Sequence, residues 1–433
     1  MNKSSNTILS KISSVEFLTD AWMKLNKSNL DSHGISDESI RSFLKDRESK
    51  ILSISEKLRS NKYKFHLYRP VLIPKKDGTY RPLQIPEIED RIVFKALAIE
   101  IETQFKDILD KSAGISFAYQ KKLGIRNAIE AIQKHYTNGN CFVFESDLIN
   151  FFTSVNKEVL LSKIITHLSD DSINELLING MNMTIGDMSH IHKDKRQYFD
   201  DISKGIPQGN PLSPLFANIY LQPFDEYLQS KNYNLVRYAD DFVILCPTLE
   251  ICQKAYNDCC EILKHSNINL SIHPLNQANK KGKIKTRITN LNKEHITFLS
   301  ITFDGKNIYP SRDNVDLFKT KVRDACYEEK SITVNSVLSK IANKLDGWIS
   351  AFYYTDVNRY AKEIDYYINR ELFLILRKFD WKLSKNTLGK IPKIYKTDNN
   401  QSTQCLSNKQ RLSSGIPLCR TLIKQKRETE KLK

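Results

Sequence analysis

The sequence predicts an α+β fold, with short strands set between long helical segments. Apolar residues recur at helical spacing over residues 13–60 and again beyond Asp313, whereas β-prone runs bounded by turn residues occupy 68–83, 141–147 and 235–245. Of the 433 residues, 40% are hydrophobic and 27% are charged, which is ordinary for a globular protein. A chain of this length favours two to four packed units.

The first elements in chain order are a helical segment, a hairpin and a further helix. The helical segment has Phe17 and Trp22 among its periodic apolar positions. Asp77-Gly78 separates two β-prone runs, which is a strong hairpin signal. The next helix is expected over residues 89–105.

Two of the later strands end in aspartates. Residues 141–147 end in Asp147, and a strand over 235–238 leads into Asp240-Asp241, after which 242–245 returns as another strand. A third β region is expected over residues 296–303, followed by a helical unit. Antiparallel pairing of the first two regions would bring the aspartates together.

Charge and cysteine content restrict the class of protein. Lys and Arg number 66 and Asp and Glu number 50, and the resulting net charge of +16 favours a polyanionic partner, first of all RNA or DNA. No export signal and no run of about 18 apolar residues occurs, so we expect a cytoplasmic protein that does not associate with a membrane. The eight cysteines include no C-x-x-C pair, so we expect reduced thiols and no structural zinc.

The aspartates suit phosphoryl transfer. Two divalent ions about 3.5 to 4 Å apart can hold the attacking and leaving oxygens of such a reaction, and Mg²⁺ needs only one or two carboxylates from the protein. Asp240 and Asp241 repel each other in a tight turn unless cations neutralise them. Aspartate is also a common turn residue, so the dipeptide alone is weak evidence.

Several blocks in the right order resemble those of reverse transcriptases. Tyr238-Ala239-Asp240-Asp241 resembles the signature hairpin of that family, and residues 147–152 (DLINFF) resemble its first catalytic block. Residues 70–94 resemble the fingers of group II intron and other bacterial enzymes, and residues 205–221 resemble the block that lines the nucleotide pocket. Residues 298–301 (FLSI) resemble the primer grip, with serine where glycine is commoner.

The resemblance implies a right-hand polymerase with fingers, a palm that carries the aspartates on an antiparallel sheet, and a helical thumb. It implies N-terminal helices and fingers over 1–138, a palm over 139–310 with a fingers insertion at about 165–204, and a thumb with a basic tail over 311–433. The tail can be an electrostatic arm for RNA or a disordered extension.

The resemblance also implies roles for individual residues. Two Mg²⁺ ions, which Mn²⁺ can replace, would be held by the side chains of Asp147, Asp240 and Asp241 and the carbonyl of Leu148. A further set would bind the deoxynucleotide: Lys75 and Arg81 on the triphosphate, Phe152 as the steric gate against a 2′-hydroxyl, and Gln208 and Gly209 against the incoming nucleotide. Contacts with nucleic acid would come from Tyr238, Leu299, Ser300 and Trp348.

Some of these assignments have competing interpretations. Lys285 would protonate the departing pyrophosphate, but an insertion after His273-Pro274 contains three other candidates for the proton donor: Lys280, Lys281 and Lys283. Phe151 and Phe152 can both be core residues. Trp348 can likewise belong to the core of the thumb.

Among bacterial lineages, the chain most resembles the solitary enzymes of the so-called unknown group, many of which act in defence against phage. The resemblance implies two-metal-ion synthesis of cDNA on a partner non-coding RNA, which would serve as template and scaffold. Two alternatives remain: a group II intron-type maturase that folds RNA, or a template-independent DNA polymerase of a phage-resistance system. The sequence contains no indication of oligomeric state.

Overall fold

The computed structural model describes residues 7–75, 78–201, 204–265, 268–279, 282–327, 333–378, 394–396 and 402–432. These residues form two compact units, Met1–Thr289 and Asn290–Lys433. Within the described ranges, no helix combines the length and apolar character needed to cross a lipid bilayer. The expected boundaries of fingers, palm, insertion and thumb stay predictions.

The first unit combines many helices with a hairpin and a four-stranded sheet. In chain order it contains α1 (Ile8–Ile12), α2 (Val15–Met23), α3 (Ile40–Phe43), α4 (Arg47–Arg59), β1 (Arg69–Pro74), β2 (Tyr80–Ile85), α5 (Ile88–Gln104), α6 (Lys106–Asp110), α7 (Ile125–Thr137), β3 (Phe142–Asp147), α8 (Phe151–Ser154), α9 (Lys157–His167), α10 (Asn174–Met181), α11 (Lys193–Arg196), a 3₁₀ turn (Gln197–Phe199), α12 (Ser213–Ser230), β4 (Asn234–Tyr238), β5 (Asp241–Cys246), α13 (Leu249–His265) and β6 (Arg287–Asn290).

The core of this unit is built around α5. Ile92, Leu97 and Ile101 of α5 are fully buried, and α2 and α4 pack against the helix. Its buried residues lie on most of its circumference, as expected for a helix surrounded by other elements. One continuous apolar cluster extends from Ile8 to Ile272 and anchors the N-terminal helices to the sheet.

The sheet has the strand order β4-β5-β3-β6. Strand β5 pairs antiparallel with both β4 and β3, and every residue after its first is buried. A helix, α13, packs against β3 and β5. The apolar run of β5 therefore fits a central strand covered by other elements.

The predicted hairpin is present as β1 and β2, which pair from Arg69 with Ile85 to Pro74 with Tyr80. Lys75 N–H donates to the Thr79 carbonyl over 2.7 Å, which closes the turn. Lys76 and Asp77 of the turn signal lie outside the described residues.

The second unit consists of a small sheet followed by helices. It contains β7 (Ile296–Phe298), β8 (Ile301–Phe303), β9 (Ile308–Pro310), α14 (Arg312–Tyr327), α15 (Val334–Phe352), a 3₁₀ turn (Val357–Tyr360), α16 (Ala361–Lys378), β10 (Ile394–Lys396), β11 (Ser402–Gln404), α17 (Asn408–Ser413) and α18 (Cys419–Lys431). Helix α14 packs on α15 and α16, and α18 packs on both of the latter.

Candidate active site

A two-residue turn, Ala239-Asp240, joins β4 to β5, so Tyr238 and Asp241 are the paired residues that flank it. Ala239 has φ +60°, a positive angle at the first turn position that glycine normally supplies. A non-glycine residue there costs about 1–2 kcal/mol, and such strain is concentrated at functional sites. The turn is also tied to the neighbouring strand, because Leu148 N–H donates to the Asp240 carbonyl over 3.2 Å.

Register brings the predicted aspartates together. Asp147, the last residue of β3, pairs directly with Asp241, the first residue of β5. Side chains of directly opposed residues lie on the same face of a sheet, and Asp240 is the adjacent turn residue. Residues that are 93 and 94 positions apart in sequence, as their numbers show, thus share one sheet edge.

Burial and the neighbouring carboxylates raise the pKa of Asp240 and of Asp241. Burial, followed by the negative charge of Asp147, raises the pKa of Asp240, and the Arg81 and Lys285 charges oppose that rise. Burial and then the charges of Asp240 and Asp147 raise the pKa of Asp241 to about 7. Water still reaches the exposed Asp241 side chain and screens part of the repulsion. The folded state therefore resists full ionisation of the trio unless cations are near.

Lys285 supplies one such cation. Its Nζ lies 2.6 Å from Oδ2 of Asp147. Burial lowers the pKa of Lys285, but the hydrogen bond to Asp147 and the surrounding carboxylates outweigh it and raise the pKa overall. The other oxygen of Asp147, Oδ1, is buried without a hydrogen-bond partner, and Nε2 of His273 is 3.9 Å away from it.

These oxygens fit a divalent ion. A buried carboxylate oxygen that lacks a partner is costly, and a hard cation would satisfy it. Among the described residues, no group of three or more His, Cys, Asp or Glu side chains is arranged to hold a metal ion by itself. Mg²⁺ does not need such a group, since it keeps waters and takes oxygens from substrate phosphates.

Lysine candidates in the insertion separate by position. Lys283 is exposed, and its carbonyl accepts a hydrogen bond from Asn279 N–H over 2.9 Å within a short hairpin. Lys280 and Lys281 lie outside the described residues. Of the two lysines that are described, Lys285 is the one that contacts an aspartate of the site. Its role as proton donor stays a prediction.

The predicted triphosphate ligands lie on the β1–β2 hairpin. Lys75 and Arg81 are both exposed. Arg81 is close enough to the aspartates for its charge to lower the pKa of Asp240 and Asp241, although burial dominates both groups. An exposed guanidinium near this carboxyl cluster is suited to phosphate oxygens.

The two phenylalanines after β3 have different surroundings. Phe151 is 2% exposed and belongs to the core, whereas Phe152 is only partly buried. The Phe152 carbonyl accepts a hydrogen bond from Ile206 N–H over 2.8 Å. Gly205 has φ +71°, and a Cβ on it would lie 1.9 Å from that carbonyl. Glycine at 205 is therefore required for the backbone contact that positions Phe152.

The predicted nucleotide-pocket loop packs on the hairpin. Gln208 carbonyl accepts from Gln84 N–H of β2 over 2.7 Å. Gly209 has φ +113°, and a Cβ there would lie 2.8 Å from the Gln84 carbonyl oxygen. Buried Asn210 donates to Tyr68 Oη over 2.8 Å. The close approach at Gly209 thus involves strand β2, and its contact with a nucleotide stays a prediction.

The predicted nucleic-acid contacts differ in exposure. Leu299 and Ser300 form the two-residue turn between β7 and β8, with φ of +51° and +66°. Ser300 is exposed and Tyr238 is partly buried.

Trp348 is buried, unlike a base-stacking side chain. Its ring packs against Phe318 and Phe352, and its Nε1–H donates to Asn314 Oδ1 over 2.8 Å. The nucleic-acid assignment of Trp348 is therefore corrected, because its faces and its polar atom are used within the second unit.

The basic tail also needs correction. Residues 402–432 contain ordered helices, and Arg411 is fully buried in an ion pair with Asp365 at 2.8 Å. Lys426 pairs with Asp346 at 2.8 Å. Part of the positive charge thus stabilises packing, and a disordered extension does not describe residues 402–432. Binding of RNA by the remaining basic residues stays a prediction. Lys433 lies outside the described part of the chain.

Sequence reasoning missed a buried ion pair next to the Ala239-Asp240 turn. Arg237 of β4 and Asp225 of α12 are both fully buried, and two hydrogen bonds of 2.6 and 2.5 Å join them. Arg237 also donates to the Ala239 carbonyl over 3.0 Å and to Asn218 Oδ1 over 3.3 Å. Through its bond to the Ala239 carbonyl, the pair fixes the strained turn residue. An arginine just before the aspartates was visible in sequence, but its partner was not.

Tyr119 was missed as well. A parallel bridge joins Ser116 to Arg237 of β4, so Tyr119 lies close to the Ala239-Asp240 turn. It is half exposed and has φ +62°. Burial and then the charge of Asp240 raise its pKa. No local sequence signal marks this residue, because its position depends on a tertiary strand pairing.

An α+β unit that places paired aspartates on an antiparallel sheet defines the class of protein as a palm-containing nucleotidyl-transfer polymerase. Residues 73–303, over half of the chain, match the family described as reverse transcriptase (RNA-dependent DNA polymerase). The chain belongs to the reverse transcriptase family. The predicted family and right-hand fold class are thereby confirmed.

Two bacterial proteins are similar to part of this chain. Protein YkfC of Escherichia coli K12 is 29% identical over 185 residues, which cover 41% of this chain and 45% of YkfC. The group II intron-encoded protein LtrA of Lactococcus lactis subsp. cremoris is 26% identical over 196 residues, covering 45% of this chain and 30% of LtrA. The match thus spans less than half of either relative. The resemblance to the bacterial and group II intron lineage is confirmed.

Solved structures show weaker likeness. A partial Cas6-RT-Cas1–Cas2 complex has a TM-score of 0.35 at 24% identity, covering 60% of this chain and 43% of that chain. A telomerase from Candida albicans with a fragment of telomeric RNA has a TM-score of 0.40 at 13% identity, covering 78% and 64%. The family assignment rests on the sequence match.

Proposed function

We propose that this protein is an RNA-directed DNA polymerase that copies a partner non-coding RNA into cDNA and that this activity functions in defence against phage. The observation that carries the catalytic part is the shared sheet edge of Asp147, Asp240 and Asp241. The raised pKa values of Asp240 and Asp241 and the unpartnered Oδ1 of Asp147 favour bound cations.

Asp147, Asp240, Asp241 and the Leu148 carbonyl would hold two Mg²⁺ ions. When bound, the ions neutralise charge on the attacking 3′-hydroxyl and on the triphosphate. The side chains of the chain do the rest. Arg81 and Lys75 orient the triphosphate, and Lys285 donates its Nζ proton to the leaving pyrophosphate.

Phe152 would select deoxynucleotides. Its partly buried ring adjoins the aspartate-bearing strand, and Gly205 fixes its backbone. A rigid aromatic ring excludes a 2′-hydroxyl by contact, since tightly packed protein cannot yield without cost. The substrates are accordingly deoxynucleoside triphosphates.

The positive charge supports a nucleic-acid template. A net charge of +16 favours RNA or DNA through counterion release. The description of the matched family, RNA-dependent DNA polymerase, supports RNA over DNA as the template. The relatives leave open whether this chain copies the RNA or folds it, and the experiment below discriminates between the two.

The test compares the intact protein with Asp240→Ala, purified from its host, and sequences the RNA and DNA that accompany each. Asp37→Ala, an exposed aspartate in the N-terminal region, is the matched control. We expect one dominant RNA in all three samples, and complementary DNA only with the intact protein and the control. Because the carboxylate mainly serves the ions, Asp240→Ala should melt within about 2 °C of the intact protein.

Each other outcome supports a different function. Substantial DNA synthesis by Asp240→Ala would contradict the metal assignment. One RNA without complementary DNA in any sample would favour a maturase-type RNA-folding protein. Random or homopolymeric DNA would favour template-independent synthesis. For the defence role, phage challenge of cells that carry each variant should show protection lost with Asp240→Ala and kept with Asp37→Ala.

A further inference from the structure

One side of helix α18 carries a row of positive charge beside a cavity. Arg420, Lys424, Arg427 and Lys431 follow one another at intervals of four, three and four residues, so they lie on one side of the helix. They line a cavity of about 260 Å³ together with Asn358, Ile423 and Glu428. We call Arg420, Lys424 and Lys431 the α18 row.

Arg427 differs from the α18 row in what it binds. Its Nε donates to the Tyr353 carbonyl and its Nη2 to the Thr355 carbonyl, both over 2.8 Å. These bonds anchor the helix to the end of α15. Arg427 therefore has a structural role, and the α18 row is the set of basic residues available to a ligand.

The α18 row itself is scarcely neutralised. Lys424 has an exposed side chain, and its Nζ is 3.8 Å from Glu428. Among the described residues, no hydrogen bond or ion pair joins Arg420 or Lys431 to a partner, and both are exposed. Like charges one helical turn apart repel each other, as Arg420 does with Lys424 and Lys431 does with Arg427, so this side of the helix favours an added anion.

Other residues of the helix fix it in the protein. Cys419, Leu422 and Ile423 are buried, and Cys419 N–H donates to Asp365 over 3.0 Å. The row is thus displayed on a rigid support, which limits the entropy lost on binding. It also excludes a bilayer-binding helix, which needs its apolar face free.

We propose that the α18 row binds the phosphodiester backbone of RNA, at a site separate from the catalytic aspartates. From Arg420 to Lys431 the row is about 16 Å long, enough to face several phosphates of one strand. Contacts with phosphates alone carry no base sequence, so the site adds affinity and orients the RNA. The choice of RNA rests on the proposed function.

The test is a binding titration with the full chain. Arg420→Gln/Lys424→Gln/Lys431→Gln removes the row, and Lys306→Gln/Lys362→Gln/Lys409→Gln is the control, since it removes the same charge from exposed lysines of the same unit. Fluorescence anisotropy follows a labelled single-stranded RNA over a range of salt concentrations, with a DNA of the same sequence and anionic vesicles as further probes.

We expect the row variant to bind RNA about 10- to 100-fold more weakly near 0.1 M salt, and the slope of log K against log salt to shrink by about 2 to 3. The control should stay within about twofold. Similar losses on DNA support backbone recognition, and a loss confined to RNA supports it with a contact to the 2′-hydroxyl. The row variant should melt at or above the temperature of the intact protein, because repulsion has been removed.

Equal losses in the row variant and the control would overturn the proposal, because net charge alone would then explain binding. So would loss of vesicle binding with RNA binding unchanged. The outcome is independent of polymerase activity. If the intact protein makes no cDNA, the proposed function fails while the binding comparison still decides the role of the row.

Discussion

The buried pair of Arg237 and Asp225 can be tested by Asp225→Asn. The amide keeps the shape of the side chain but removes its charge, leaving the Arg237 guanidinium buried without a counterion. Breaking a buried pair by removing one partner costs about 3–5 kcal/mol. Both residues are fully buried and joined by two short hydrogen bonds, so we expect a loss in that range.

The loss translates into a measurable temperature shift. An unfolding entropy of about 2.1 cal/mol/K per residue amounts to about 0.6 kcal/mol/K for the unit Met1–Thr289. The Tm of that unit should therefore fall by about 5–8 °C, as measured by circular dichroism or calorimetry. Primer extension well below both melting temperatures should show kcat reduced by about 100-fold, the effect of a displacement near 1 Å.

A second variant separates stability from positioning. Asp225→Leu/Arg237→Met replaces the pair with apolar side chains, which is often neutral for stability. It should recover at least half of the lost Tm, but not kcat, because replacing Arg237 removes the donor to the Ala239 carbonyl. A wild-type Tm for Asp225→Asn, or a wild-type rate for the apolar pair, would refute the reasoning.

Four further substitutions test other residues singled out above. The raised pKa of Asp241 means that the folded state loses stability as pH rises from about 4 to about 7. Mg²⁺ should therefore raise the Tm more at about pH 8 than at about pH 5, and Asp241→Asn should remove most of that difference. An equal Mg²⁺-induced rise in Tm at both pH values would contradict the ion assignment. Ser300→Gly should stabilise the second unit by about 0.5–1 kcal/mol in denaturant titration, because glycine relieves the positive φ, and destabilisation would count against strain in that turn. Phe152→Ala should raise ribonucleotide use relative to deoxynucleotide use by about tenfold in kcat/KM, and unchanged discrimination would remove Phe152 as the gate. Phe151→Ala should instead destabilise the core by about 3–5 kcal/mol, because Phe151 is buried.

Local sequence patterns were sufficient for the elements and for the family. Asp-Gly between β-prone runs marked the β1–β2 hairpin, and apolar strands ending in Asp147 and Asp240 marked the sheet edge. These features depend on neighbouring residues, whose periodicity and turn chemistry can be read along the chain. The order of several such blocks identified the reverse transcriptase family.

Sequence patterns could not distinguish buried from exposed residues of the same type. Phe151 and Phe152 are adjacent in sequence, yet only the first is core. Trp348 matched a motif, but packing uses both its ring and its N–H. Arg411 and Arg420 looked equivalent in a basic tail, yet Arg411 is buried with Asp365 and Arg420 is exposed.

By itself the sequence determined the α+β class, the hairpins, the family and the aspartates. Only the tertiary structure decided which lysine contacts Asp147, which arginine supports the turn, and which cations of the tail remain available. Lys285 is 138 positions away from Asp147, and Asp225 reaches Arg237 from a helix. Such contacts depend on strand register and on how helices pack across the core, and no short run of residues encodes either property. Burial then makes an unpaired charge too costly to leave.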